Sequence, residues 1–157
     1  MLKRIILFFL LFTGSLLATQ GQNTDNNRYW PKVIPLEQAS ITIYSPEPES
    51  FKGNVIEVRS AFNYFDGTGL PIFGAMWLRA VVHIDKANNH VFIDQIELID
   101  ANFPDITSAK KKNLHDLISS VAPTWQFNSS LASFMKAIAK AGLDQEHADG
   151  IINDPPN

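Results

Sequence analysis

Alternation of apolar and polar residues over long segments is the feature of this sequence that most constrains its fold. In segment 54–65, every second side chain belongs to one mostly apolar set: Ile56, Val58, Ser60, Phe62 and Tyr64. The residues between them include Glu57, Arg59 and Asn63. A period of two places such sets on opposite faces of a β-strand, one buried and one in water. Segment 54–65 is therefore predicted to form a strand of an antiparallel sheet.

Two further segments extend this predicted sheet. Residues 40–44 are short and β-branched, and we expect Pro46 to end them because proline cannot donate a hydrogen bond to a neighbouring strand. Segment 72–84 is predicted to form a long strand. Both of its faces are largely apolar over 73–77, which predicts a central strand covered on both sides.

A fourth strand is predicted at 91–101, after a turn at 85–90 that returns the chain along its neighbour. The apolar phase of this segment changes between Ile93 and Ile96. One extra residue in a strand produces such a change, so the sequence predicts a β-bulge near residues 94–95.

The second half of the chain has the spacing of helices. In segment 106–121 the apolar positions are Leu114, Leu117, Ile118 and Val121, which share one helical face. A second helix is expected to begin at Ser129 or Ser130 and to end at Gly142. Strands followed by helices predict an α+β fold: an antiparallel sheet of about four strands in the first half, with two amphipathic helices packed on one face.

The first 21 residues read as a secretory signal peptide. Lys3 and Arg4 precede an apolar run over 5–12, and small residues lead to an expected cleavage after Gly21. The run is much shorter than the ~20 residues of a membrane-spanning helix. We therefore expect export to the periplasm or the extracellular space, with no transmembrane segment.

The rest of the chain divides into three parts. Residues 22–29 are polar and are expected to form a flexible lead-in, residues 30–143 a single globular domain, and residues 144–157 a loose acidic tail. The formal net charge is −3, and loss of the two basic leader residues would make it −5. This acidic balance disfavours nucleic acid as a partner.

The complete absence of cysteine removes several kinds of chemistry at once. It excludes disulfides, thiolate metal sites, thiol nucleophiles and a lipid anchor on an N-terminal cysteine. No motif for a cofactor was found either, so the sequence predicts neither a cofactor nor a metal.

Segments spread over residues 30–143 resemble a family of exported bacterial proteins of unknown biochemical function, which are sometimes labelled carbohydrate-binding. The resemblance is carried by Trp30-Pro31, Tyr44-Ser45-Pro46, Ser50-Phe51, Phe73-Gly74-Ala75-Met76-Trp77, Phe103-Pro104 and Pro123-Thr124-Trp125. It implies architecture and export, and it brings no catalytic residues with it.

Aromatic residues are the first candidates for a binding site, because flat exposed rings stack on the faces of sugars. Trp30 stands at the edge of the expected domain, and Tyr44 and Phe51 bracket a proline-rich segment. These three are predicted to form a shallow aromatic groove. Trp77 and Trp125 are expected in the core instead, since large aromatic side chains contribute much buried area.

His83 and Asp94 are weaker candidates. If the turn at 85–90 places Asp85 opposite His90, then His83 faces Phe92 and lies diagonal to Asp94. Such a pair is half of a catalytic triad or of a metal site, and no partner for it is recognisable in the sequence. The simpler interpretation is a histidine hydrogen-bonded to an aspartate at the surface.

Glu47 and Glu49 are the remaining candidates, since paired carboxylates perform acid–base chemistry in glycosidases. Those pairs come from separate elements on either side of a cleft, whereas these two share one segment. They are expected to keep a loop solvated, or to supply some of the six or more oxygens of a weak calcium site.

Together these observations favour an exported, non-enzymatic binding protein whose partner is a glycan or an envelope protein. Two alternatives stay open. One is a small hydrolase that uses His83 with Asp94 or the paired carboxylates. The other is a structural module of the envelope.

Overall fold

The computed structural model of this protein describes residues 30–143. The predicted signal peptide, lead-in and acidic tail lie outside these residues. The elements, in chain order, are β1 (Lys32–Pro35), β2 (Ser40–Ile43), β3 (Glu47–Lys52), β4 (Val55–Phe65), β5 (Ile72–Asp85), β6 (His90–Asn102), α1 (Ser108–Val121), a 3₁₀ turn (Ala122–Thr124), β7 (Phe127–Ser130) and α2 (Leu131–Lys140).

The strands of the described residues form one antiparallel sheet, curled into a half-barrel, in the order β1-β2-β4-β5-β6-β7. Strand β3 also pairs with β4. Strand β2 pairs with residues 62–65 at the end of β4, and β3 pairs with residues 55–59 at its beginning. The two short strands therefore share one edge of β4.

The bulge predicted in β6 is confirmed. Pairing between β5 and β6 shifts between Arg79 and Val81, and Gln95 has a positive φ of 48°. A second shift follows between Trp77 and Leu78. Each extra residue returns the apolar positions of β6 to the core side, so a strand with broken alternation still buries one face.

The core lies between one face of this sheet, here called the core face, and the two helices. Its largest fully buried side chains are Phe62, Phe103, Ile41, Ile43, Met76, Ile96, Ile118, Ile138, Val82 and Val91. The rings of Phe62 and Phe103 meet edge to face with centroids 5.3 Å apart. The opposite face of the sheet, here called the solvent face, carries the intervening residues of each strand.

Both helices begin at a residue that caps their free N–H groups. Thr107 accepts a hydrogen bond from the backbone of Lys110, and Ser130 accepts one from the backbone of Ser133 at 3.1 Å. Past the end of α2, Gly142 has a φ of +68°, which favours glycine. The helices therefore lie where the apolar spacing placed them, and Ser130 is the cap of the second.

The predicted α+β fold class was nevertheless wrong. The described chain is mostly antiparallel sheet, with seven strands rather than about four and only two short helices. Strand β7 lies between the helices, so the strands are not confined to the first half. Strands β1 and β7 have only four residues each, too few to show a period of two. Strand β3 contains Pro48, which is tolerated because β3 pairs on one side only.

The predicted core position of Trp77 was also wrong. Strand β5 is central in the sheet, but in the described residues only its core face is covered by the buried cluster. Trp77 lies on the solvent face and is partly exposed, and Phe73 on the same face is 60% exposed. Trp125 is buried, as expected.

Gly74 occupies a position where any side chain would collide with its surroundings. It pairs with Phe62, and a Cβ atom here would lie 2.5 Å from the main-chain oxygen of Asn102 and 3.0 Å from Cε1 of Phe62. We expect Gly74→Ala to lower the free energy of unfolding by about 1–3 kcal/mol, the usual cost of overpacking. Urea denaturation measures this change, with Ala75→Ser on the solvent face as a nearly neutral control. Equal stability of the two variants would contradict the close approach.

Candidate functional site

The solvent face of β4, β5 and β6 carries aromatic, amide and charged side chains in cross-strand register. Three successive rows across these strands are Asn63–Phe73, Ala61–Ala75–Asn102 and Arg59–Trp77–Asp100. Directly opposed residues on one face lie about 5 Å apart, and diagonal neighbours about 7–8 Å. These rows therefore place their side chains within one small area of the sheet.

The middle row of this area is a floor of small residues between aromatic side chains. Ala61 and Ala75 pair directly, and Phe73 and Trp77 stand two positions to either side of Ala75 on the same strand. Tyr44 donates its backbone N–H to the carbonyl of Ala61 at 3.0 Å. We call this area, defined by Tyr44, Phe73 and Trp77 with the floor Ala61–Ala75, the aromatic platform.

A hydrogen bond fixes the tyrosine of the platform on the solvent face. The side-chain amide of Asn63 donates to the Tyr44 hydroxyl at 3.1 Å. Asn63 itself is mostly buried, although its position in β4 faces away from the core. The contact gives the ring of Tyr44 a defined position while the residue stays 36% exposed.

Ion pairs lie along one side of the platform. Arg59 binds Glu47 at 2.7 Å and approaches Glu49 at 3.6 Å. In the neighbouring row, Arg79 binds Glu57 at 2.8 Å. All of these side chains are well exposed, so each pair contributes little to stability. Their effect is to hold the charged groups beside Trp77 in defined positions.

This pairing limits what the predicted carboxylate candidates can do. Glu47 and Glu49 both face one arginine, Arg59, rather than a cleft. The hydrogen bond from Arg59 holds the pKa of the Glu47 carboxyl below its ordinary value. Glu47 therefore stays ionised at neutral pH, which does not suit a general acid.

The pair of His83 and Asp94 is present as the hairpin register predicted. Asp85 pairs with His90, His83 faces Phe92, and Nε2 of His83 lies 3.0 Å from Oδ1 of Asp94. The pair borders an open depression of about 320 Å³, whose described lining offers no hydroxyl or amine side chain as a nucleophile.

Within residues 30–143, no group of three or more histidine, aspartate or glutamate side chains could hold a metal ion.

The three predicted groove residues are not brought together by the structure. Phe51 is buried and meets Phe134 edge to face, with ring centroids 5.4 Å apart. Trp30 packs against Phe127 at 5.5 Å and borders a cavity beside the core face. Tyr44 lies on the solvent face.

Phe73 and Trp77 were missed as candidate site residues, although the sequence contained a signal for them. Both stand in phase with Arg79 and His83, the charged and polar positions of β5. A period of two assigns them to the same face as those residues. The apolar composition of 73–77 concealed this phase.

Among the described helices, none combines the length and the apolar character that crossing a membrane requires. Comparison with family models, curated proteins and solved structures finds no match for this chain.

Proposed function

We propose that this chain is an exported, non-enzymatic binding protein, and that its ligand is a glycan held on the aromatic platform. The observation that carries the proposal is the arrangement of Tyr44, Phe73 and Trp77 around the small pair Ala61–Ala75. A sugar ring has an apolar face of C–H groups and an edge of hydroxyl groups. The platform offers aromatic rings to the apolar face of the sugar, and polar groups at its margin to the hydroxyl groups.

The polar groups at the margin suit hydroxyl ligands. The exposed Asn102 supplies an amide, which both donates and accepts hydrogen bonds, whereas the amide of the mostly buried Asn63 donates to Tyr44. Arg59 and Asp100 flank Trp77 across the strands and supply one donor group and one acceptor group. A mixture of donors and acceptors fits the hydroxyls of a neutral sugar better than it fits a ligand of one charge.

The pattern favours a glycan over an envelope protein. Interfaces between proteins have an apolar centre from which charged residues are depleted. Here charged and amide side chains alternate with the rings across adjacent rows.

The position of the platform reduces the cost of binding. Strand β5 is paired with β4 and with β6 along most of its length, so its backbone is held on both sides. A rigid support leaves less conformational entropy to be lost when a ligand binds. Export is supported by the leader pattern of the first 21 residues.

We expect the full chain to bind one or more glycans in a screen of immobilised bacterial-envelope and plant polysaccharides. Phe73→Ala should weaken that binding at least five-fold, because it removes one of the three rings. Phe92→Ala is the matched control, since Phe92 is also exposed on the solvent face but lies beside His83, away from the platform. Affinities are measured by titration calorimetry.

Two outcomes would contradict the proposal. One is the absence of glycan binding, or equal losses in the two phenylalanine variants, which would favour an envelope protein or a structural role. The other is turnover in a glycosidase, esterase or peptidase assay that disappears in His83→Ala and in Asp94→Ala. That result would favour the second candidate, a hydrolase in which Asp94 orients His83 as a general base, and the observed 3.0 Å contact is its basis.

A further inference from the structure

A cavity of about 240 Å³ lies on the other side of the sheet from the platform, between the core face and α2. Val58, Leu78 and Ile96 line it from the sheet, and Phe134 and Ala137 line it from the helix. Its surface is mostly apolar. It is independent of the proposed glycan site, because residues of the two sites point to opposite faces of the sheet.

The chemistry of the lining describes the kind of ligand that fits. Every described residue that lines the cavity is uncharged. The polar side chains are Ser45, Asn128, Ser129 and Ser133, and three of these four belong to the junction of β7 with α2. A charged ligand would lose its hydration here without gaining a partner of opposite charge. A neutral molecule with an apolar body and one hydroxyl group matches both parts of the lining.

The size of the cavity limits the ligand further. An engineered apolar cavity of about 150 Å³ in another protein holds one benzene molecule. In proportion, 240 Å³ accommodates a ligand of roughly ten non-hydrogen atoms. This is below the usual range of about 300–1,000 Å³ for pockets that take drug-sized ligands.

We propose that the cavity is a binding site for a small neutral apolar alcohol or phenol of about this size. The apolar body lies among the sheet and helix side chains, and the hydroxyl group lies at the polar end formed by Asn128, Ser129 and Ser133.

The test uses 2-naphthol as the probe, because it is neutral at pH 7, bicyclic and carries one hydroxyl group. The full chain should bind it in a fluorescence titration, and naphthalene-2-sulfonate, which has the same ring system but is charged, should bind at least ten-fold more weakly. Ala137→Phe places a ring in the cavity and should weaken 2-naphthol binding at least ten-fold. Ala139→Phe is the matched control, since Ala139 is exposed on the same helix and does not line the cavity.

Ala137→Leu serves as a milder version of the first variant, and circular dichroism checks that each variant is folded. Equal effects at the two alanine positions would overturn the proposal, as would equal affinity for the charged and the neutral probe. Binding that appears only after removal of 144–157 would also overturn it, because those residues would then be the natural occupant. Loss of glycan binding leaves this test unaffected, so the two proposals fail separately.

Discussion

Replacement of Phe62 by alanine is expected to lower the free energy of unfolding by about 3–5 kcal/mol, the usual cost of emptying a large buried aromatic site. Phe62 is fully buried at 0% exposure. Its ring meets Phe103 edge to face and lies over Gly74 from the neighbouring strand. The missing ring would leave a cavity that these tightly placed neighbours cannot close. Chemical denaturation with urea measures the change.

Phe73→Ala is the matched control for this experiment, because it makes the same chemical change one residue from Gly74. Phe73 is 60% exposed on the solvent face, so its loss should change the free energy of unfolding by about 0.5 kcal/mol or less. Similar losses of stability in the two variants would show that the solvent face is covered. The assignment of the two faces of β5 would then be wrong.

Trp77→Ala is expected to weaken glycan binding by about ten- to a hundred-fold, which corresponds to about 1.4–2.7 kcal/mol. Large aromatic side chains at the centre of an interface account for most of its binding energy. Trp77 has this position, since it borders the alanine floor and is flanked across the strands by Arg59 and Asp100. The measurement is titration calorimetry with a glycan identified in the screen.

Trp125→Ala provides the comparison that separates binding from folding. Trp125 is 4% exposed and belongs to the core cluster, so its loss should cost about 3–5 kcal/mol of stability. Trp77→Ala should cost clearly less, because Trp77 lies on the solvent face. One result would contradict the proposal: Trp77→Ala destabilises the protein as much as Trp125→Ala and leaves the glycan affinity of the folded fraction unchanged. Trp77 would then have a structural role, and the platform would not be the binding site.

Several features could be predicted because they depend on residues close together in the chain. The register of the hairpin after β5 depends on a short turn, and the contact of His83 with Asp94 follows from it. The bulge at Gln95 appeared as a change of apolar phase within one strand. The ends of α2 followed from a serine cap and a glycine, which act on the nearest backbone groups.

Three short strands, β1, β3 and β7, could not be predicted from the sequence, and the reason is physical. Strand β7 is held by pairing with a distant partner, the beginning of β6, whereas β1 and β3 pair with the next strand along the chain. Four to six residues carry too little periodicity to distinguish such a strand from a loop. In β3 the sequence argued against a strand, since Pro48 disfavours a paired strand unless that strand lies at an edge.

By itself, the sequence determined the alternation of the long strands, the apolar faces of the helices and the position of the bulge. Only the tertiary structure decided which face of each strand is covered and which aromatic side chains stay in contact with water. Packing placed Phe51 against Phe134 in the core. It left Trp77 on the solvent face beside Ala61, the residue whose carbonyl accepts the backbone N–H of Tyr44. Alternation divides a strand into two sets of side chains, but burial depends on the elements that pack against one of them, and those elements come from distant parts of the chain.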